Sequence, residues 1–111
     1  MKNIRAILID MVDAITTIET YKVSKYKDFM ADGRTQDAVM FNLIIMGEAA
    51  GRISEIFQAD HPEVPWSSII GTRNVIVHGY DQVKLQIVWD ILNKDLKPLK
   101  NNLKKLLQEV S

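Results

Sequence analysis

The sequence predicts an all-α fold, an antiparallel bundle of four to five helices. Two observations carry this expectation. Apolar residues recur three or four apart through most of the chain, and no segment of any length alternates with the two-residue period of a half-buried strand. Strong breakers fall at only a few places: Asp32-Gly33, the Pro62 to Pro65 stretch, Gly79 and Pro98.

In chain order, residues 3 to about 20 place Ile4, Ile7, Leu8, Met11, Ile15 and Ile18 on one stripe, a first amphipathic helix. The segment from Tyr21 to Ala31 is more mixed, and Ser24 is a candidate cap for a short helix running through Phe29. Asp32-Gly33 ends it. From Arg34 to about Phe57 the chain is free of proline and can form its longest helix, whose run Val39, Met40, Phe41, Leu43, Ile44, Ile45, Met46 covers nearly every side. A helix apolar all round is buried all round. In so small a domain, that suggests neighbouring helices on one side and, on another, either a second copy of the chain or tight packing within the one chain. Gly47, Ala49, Ala50 and Gly51 would let another backbone come close. Glu48, Arg52 and Glu55 follow at spacings that put them on one stripe of this helix, and Glu48, inside the apolar run, needs a partner if buried. Gln58 to Pro65 is a connection. Ser67 or Ser68 through His78 forms the next helix, closed by Gly79 at a position where positive φ is often required. Apolar positions from Val83 to Leu107 supply the remaining helical structure, which Pro98 should kink or divide.

The 111 residues make one domain, 1–111. The chain has no cysteine, so disulfides and thiolate metal sites are excluded, and a reducing cytoplasm is compatible. Two histidines, His61 and His78, give little support to a metal site, and no cofactor signature appears. Met1 to Asp13 mixes apolar residues with Lys2, Arg5 and Asp10, unlike a signal peptide or a membrane span, so the expected protein is soluble, cytoplasmic and unprocessed. Fourteen basic residues balance fourteen acidic ones. Zero net charge argues against strong non-specific binding to nucleic acid and sends any RNA to a local patch. Lys94, Lys97, Lys100, Lys104 and Lys105 make the last segment locally basic, which is the ordinary look of a solvated helix face.

Most of the available chemistry lies in Arg73-Asn74-Val75-Ile76-Val77-His78-Gly79-Tyr80. On a helix Asn74 and His78 share a face, while Arg73 lies about 140° away at roughly 100° per residue. Arg73 joins them only by curling its side chain, by local distortion, or in a site shared with a second chain. Histidine exchanges protons near neutrality, arginine holds a phosphate through parallel hydrogen bonds, and asparagine orients a substrate group. That set fits metal-free cleavage of RNA. It also fits a structural set, with Arg73 paired to a carboxylate such as Glu48, Asn74 bonded locally and His78 ending a helix against its own carbonyls.

Arg73-Asn74, three intervening residues, His78, one residue and then Tyr80 resemble the Arg-x4-His-x-Tyr signature of HepT-like toxins, in the HEPN superfamily of helical ribonucleases. The stretches Arg34 to Val39, Ile45 to Ala50, His61 to Trp66 and Val88 to Ile91 resemble that family in the same order. The resemblance implies a homodimer with its sites near the dimer cleft, and a toxin of a type II toxin-antitoxin system that cuts tRNA or mRNA without a metal. It implies catalytic roles for Arg73 and His78, with Asn74 orienting the substrate; Glu48, with Arg73 as its candidate partner, is a further candidate positioning residue on its place in the apolar run. It also implies adenylylation of Tyr80 by an MntA-type nucleotidyltransferase, the antitoxin. The other reading is a non-catalytic helical partner of such a nucleotidyltransferase.

Overall fold

The computed structural model describes residues 3–110. Met1, Lys2 and Ser111, which the single-domain reading includes, lie outside the described residues. Every regular element among them is helical: α1 (Ile4–Thr20), α2 (Tyr26–Met30), α3 (Gly33–Gly51), α4 (Glu55–Asp60), α5 (Trp66–His78), α6 (Leu85–Asp90) and α7 (Leu96–Glu109). A 3-10 turn, Tyr80–Gln82, follows α5, and a π turn, Ile91–Asp95, joins α6 to α7 without a break. The described residues thus form six helical rods, four of them long, rather than four to five.

α1 starts where Asn3 accepts a hydrogen bond from the Ala6 N–H at 2.8 Å, and it buries Ile7, Leu8, Met11, Ile15 and Ile18 of the predicted stripe, with Ala14 added and Ile4 only partly buried. Ser24 caps nothing: α2 begins after Lys25 with no side-chain cap and is held instead by its rings. Phe29 is buried, and the rings of Tyr26 and Phe29 lie 5.4 and 5.8 Å from Trp89. Asp32 does more than end that helix. Its carboxylate accepts from the Thr35 N–H at 3.1 Å and the Thr35 hydroxyl at 2.6 Å, capping α3 and holding its own pKa below the ordinary value.

α3 stops at Gly51, well short of Phe57, because local hydrogen bonds end it more completely than continued helix would. Ser54 accepts from the Phe57 N–H at 3.2 Å and starts α4 afresh, while the Gln58 amide donates to the carbonyls of Ile53 at 3.0 Å and Ala50 at 3.4 Å. Glu55 therefore belongs to α4, and the stripe with Glu48 and Arg52 does not form.

α3 is the central rod, packed against α1 and α5, with α7 against α1. Its buried residues include Val39, Met40, Leu43, Met46, Ala49 and Ala50. Asn42, buried among them, donates to the Ala38 carbonyl and to the Tyr21 hydroxyl. The helix is not covered all round: Phe41 is 62% exposed.

α5 is anchored by Trp66, which is buried and donates its indole N–H to the His61 carbonyl at 3.0 Å. The helix begins at Trp66 after Pro65, one or two residues before the expected start at Ser67 or Ser68. Gly79 ends it with φ of −145°, outside the left-handed region expected there. Pro98 lies within α7, and the interruption it causes appears upstream. A proline ring excludes the carbonyl four residues earlier, here that of Lys94, and the turn holding Lys94 widens to a π turn.

The position that sets the geometry is Gly47. A Cβ there would lie 2.1 Å from the Cβ of Arg73 and 3.0 Å from the Ile69 carbonyl oxygen, so α5 crosses α3 over bare backbone. Gly47→Ala should destabilise the protein by about 1 to 3 kcal/mol through overpacking. Urea unfolding would show a lower midpoint at an unchanged slope; a midpoint equal to wild type would mean the helices are not this close.

Candidate active site

Where α5 crosses Gly47, the stem of Arg73 lies on α3 and its guanidinium turns along the seam between the helices. One terminal nitrogen donates to Asn74 Oδ1 at 3.0 Å and the other to Glu48 Oε1 at 3.4 Å. Glu48 is not a buried carboxylate: its side chain is 46% exposed and that of Arg73 29%. At such exposure the pair contributes at most about 1 kcal/mol, so its consequence is orientation rather than stability. The Arg73 Nε is buried in the seam, with no hydrogen-bond partner among the described residues.

Of the predicted set, the structure joins Arg73, Asn74 and Glu48 directly. His78 does not join them by a hydrogen bond to Arg73. It is the last residue of α5 and is exposed, on the Asn74 face of a helix that runs regularly to its end. Asn74 is thus the link, bonded to Arg73 and one turn before His78. The close approach expected of Gly47 toward another backbone is met within the chain, by α5.

Tyr80 sits in the 3-10 turn directly after α5, half exposed, and donates its hydroxyl to the Asp37 carboxylate on the first turns of α3. The hydrogen bond to Asp37, with smaller contributions from desolvation and the Asp37 charge, raises the Tyr80 phenol above its ordinary value of 10.0. Asp37 was not among the candidate residues, and no spacing could have found it, because the partners are 43 residues apart. His61, in the connection after α4, is half-buried, stacked 4.3 Å from the Phe57 ring with Nδ1 3.5 Å from Glu63. Among the described residues no group of three or more His, Asp and Glu side chains is placed to hold a metal ion, and no helix is long and apolar enough to cross a membrane.

Comparison with known proteins gives a consistent picture. The family described as "Ribonuclease HepT-like" matches residues 11–106. A protein of Thermococcus cleftensis named "Probable ribonuclease HepT" is 35% identical over 98 residues, covering 87% of this chain and 89% of its own. Two proteins described as candidate RNases are similarly related. One, from Caldanaerobacter subterraneus, is 33% identical over 92 residues, covering 83% of this chain and 82% of its own. The other, from Methanocaldococcus jannaschii, is 32% identical over 108 residues, covering 93% and 89%. No solved structure matches the chain.

The Tyr80 contact can be tested by titration. The fold favours the neutral phenol, so its stabilisation is complete below about pH 10 and is lost as pH rises through the raised value. Asp37→Ala should return Tyr80 toward 10.0, read as tyrosinate absorbance after subtracting a Tyr80→Phe reference. Identical titration in both backgrounds would show the contact absent in solution.

Proposed function

This chain belongs to the HepT-like ribonuclease family, and we propose that it is a metal-independent endoribonuclease, the toxin of a type II toxin-antitoxin pair, cutting tRNA or mRNA at the α3–α5 seam. The observation that carries this reading is the guanidinium of Arg73, oriented by Asn74 and Glu48, on the same helix whose exposed last residue is His78. His78 takes the proton from a ribose 2′-hydroxyl, and the resulting oxyanion attacks the adjacent phosphorus. The bond to the 5′-oxygen breaks, leaving a 2′,3′-cyclic phosphate, with the leaving oxygen protonated by water or by the second subunit. Arg73 stabilises the charge that builds on the non-bridging oxygens, and Asn74 and Glu48 fix where its donors point.

A homodimer is part of the same proposal. Phe41 and Val77, 62% and 43% exposed, flank the seam on α3 and α5. Phe41 lies seven residues before Glu48, on nearly the same face of its helix, so a second copy seated on that face would border the site. The cognate nucleotidyltransferase acts at Tyr80. Its AMP group would place a phosphodiester beside His78, compete for Arg73 and displace the hydroxyl from Asp37.

The test is cleavage of RNA in chelator by wild type and His78→Ala, after intact mass confirms an unmodified Tyr80. Wild type should give discrete fragments ending in cyclic phosphate, and His78→Ala should lose about 10²- to 10⁴-fold in rate, the usual span for a general base. If unmodified wild type leaves tRNA and mRNA intact, the ribonuclease reading fails and the chain is instead a non-catalytic partner of the nucleotidyltransferase.

A further inference from the structure

α5 packs on α3, but on its other side a groove of about 590 Å³ opens between α5 and α6, within the range of small-ligand sites. Its lining includes Gly71, Val75, Gln82, Val83, Lys84 and Ile87. Gly71, Val75 and His78 stand at i, i+4 and i+7, one face of α5, so the groove opens on the histidine's own side. At roughly 100° per residue, His78 falls between the Arg73 seam and this groove around the helix.

Gly71 is the observation that points to an occupant. A glycine inside a helix is unfavourable relative to alanine, and such a residue normally marks a close approach. Here a Cβ at Gly71 would meet nothing within 4 Å, in contrast to Gly47. Gly33 and Gly51 are equally open, but they stand at the two ends of α3, where an interior glycine's penalty does not apply. No described residue approaches the bare backbone at Gly71, which leaves the groove open on the face of α5 that His78 shares. The walls suit a flat, mostly apolar group: Val75 and Ile87, 61% and 55% exposed, face water. Gln82 brings an amide able to pair with a base edge, and Lys84 a cation for the attached phosphate.

We propose that the groove between α5 and α6 seats the base of the nucleotide next to the bond that is cut, with Gly71 as its floor and Gln82 and Lys84 at its polar side. The proposal rests on the ribonuclease reading above and makes single-stranded RNA, whose bases can be splayed out, the substrate.

The test crosses a protein change with a substrate change. Gly71→Leu fills the groove from a position outside the catalytic set, and Gly71→Ala is the control for the fold, with circular dichroism and thermal unfolding confirming both. Binding of a fluorescent single-stranded RNA is measured beside oligonucleotides that lack one base at each position flanking the cut. Wild type should bind one abasic oligonucleotide about tenfold more weakly, as expected for one lost base contact. Gly71→Leu should bind the intact RNA equally weakly and no longer distinguish the two, since effects through one contact are not additive. Gly71→Leu that binds and discriminates like wild type overturns the proposal. So does Gly71→Leu that leaves RNA binding unchanged but breaks self-association, which would assign the groove to a second copy. Because binding is read separately from cleavage, wild type that cuts RNA but binds all the abasic oligonucleotides alike would overturn the groove and leave the ribonuclease reading standing. Wild type that binds no RNA would overturn both.

Discussion

The structure depends on the contact between Gly47 and Arg73. With a side chain at Gly47, α5 would have to lift from α3, because the added Cβ would sit 2.1 Å from that of Arg73. The missing methyl brings the two helices together and lays the Arg73 stem along the seam, which in turn aims the guanidinium at Glu48 and Asn74. Packing and chemistry are therefore one arrangement here. The same crossing that closes the core around Met46 and Ile69 sets where the cation points.

α5 divides its circumference among separate tasks. Trp66, Ile69 and Ile76 face the core, Arg73 lies along the seam, and Asn74 and His78 share the exposed side that leads to the groove with α6. The single hydrogen bond between Tyr80 and Asp37 ties the turn after His78 back to the start of α3. The end of α5 is thus held from two points, at Arg73 and at Tyr80. This matters in a chain with no net charge, where attraction for a polyanion has to come from a few oriented donors rather than from the whole surface.

Much of the fold was legible from period and punctuation. The α1 stripe, the break at Asp32-Gly33 and the helix carrying Arg73 to His78 all follow from residues close in sequence. The boundaries that differ were decided by hydrogen bonds that spacing does not display. Ser54 and Gln58 ended α3 six residues before Phe57, and the rings of Tyr26 and Phe29 against Trp89 held α2 without any help from Ser24. Pro98 did disturb its helix, but the strain was absorbed where its ring meets a carbonyl, in the turn containing Lys94.

By itself the sequence determined the all-α class, the family and which candidate site residues stand close together along the chain, because helical period and a local motif are properties of neighbours along the chain. Only the tertiary structure decided how those residues are used. It turned Arg73 toward Glu48 and Asn74 rather than toward His78, gave Gly47 to α5 within one chain, and found in Asp37 a partner for Tyr80. The reason is physical: a helix sets the angle between its own side chains, but the acceptor that a long side chain reaches lies on another helix, and its place is known only once the two have packed.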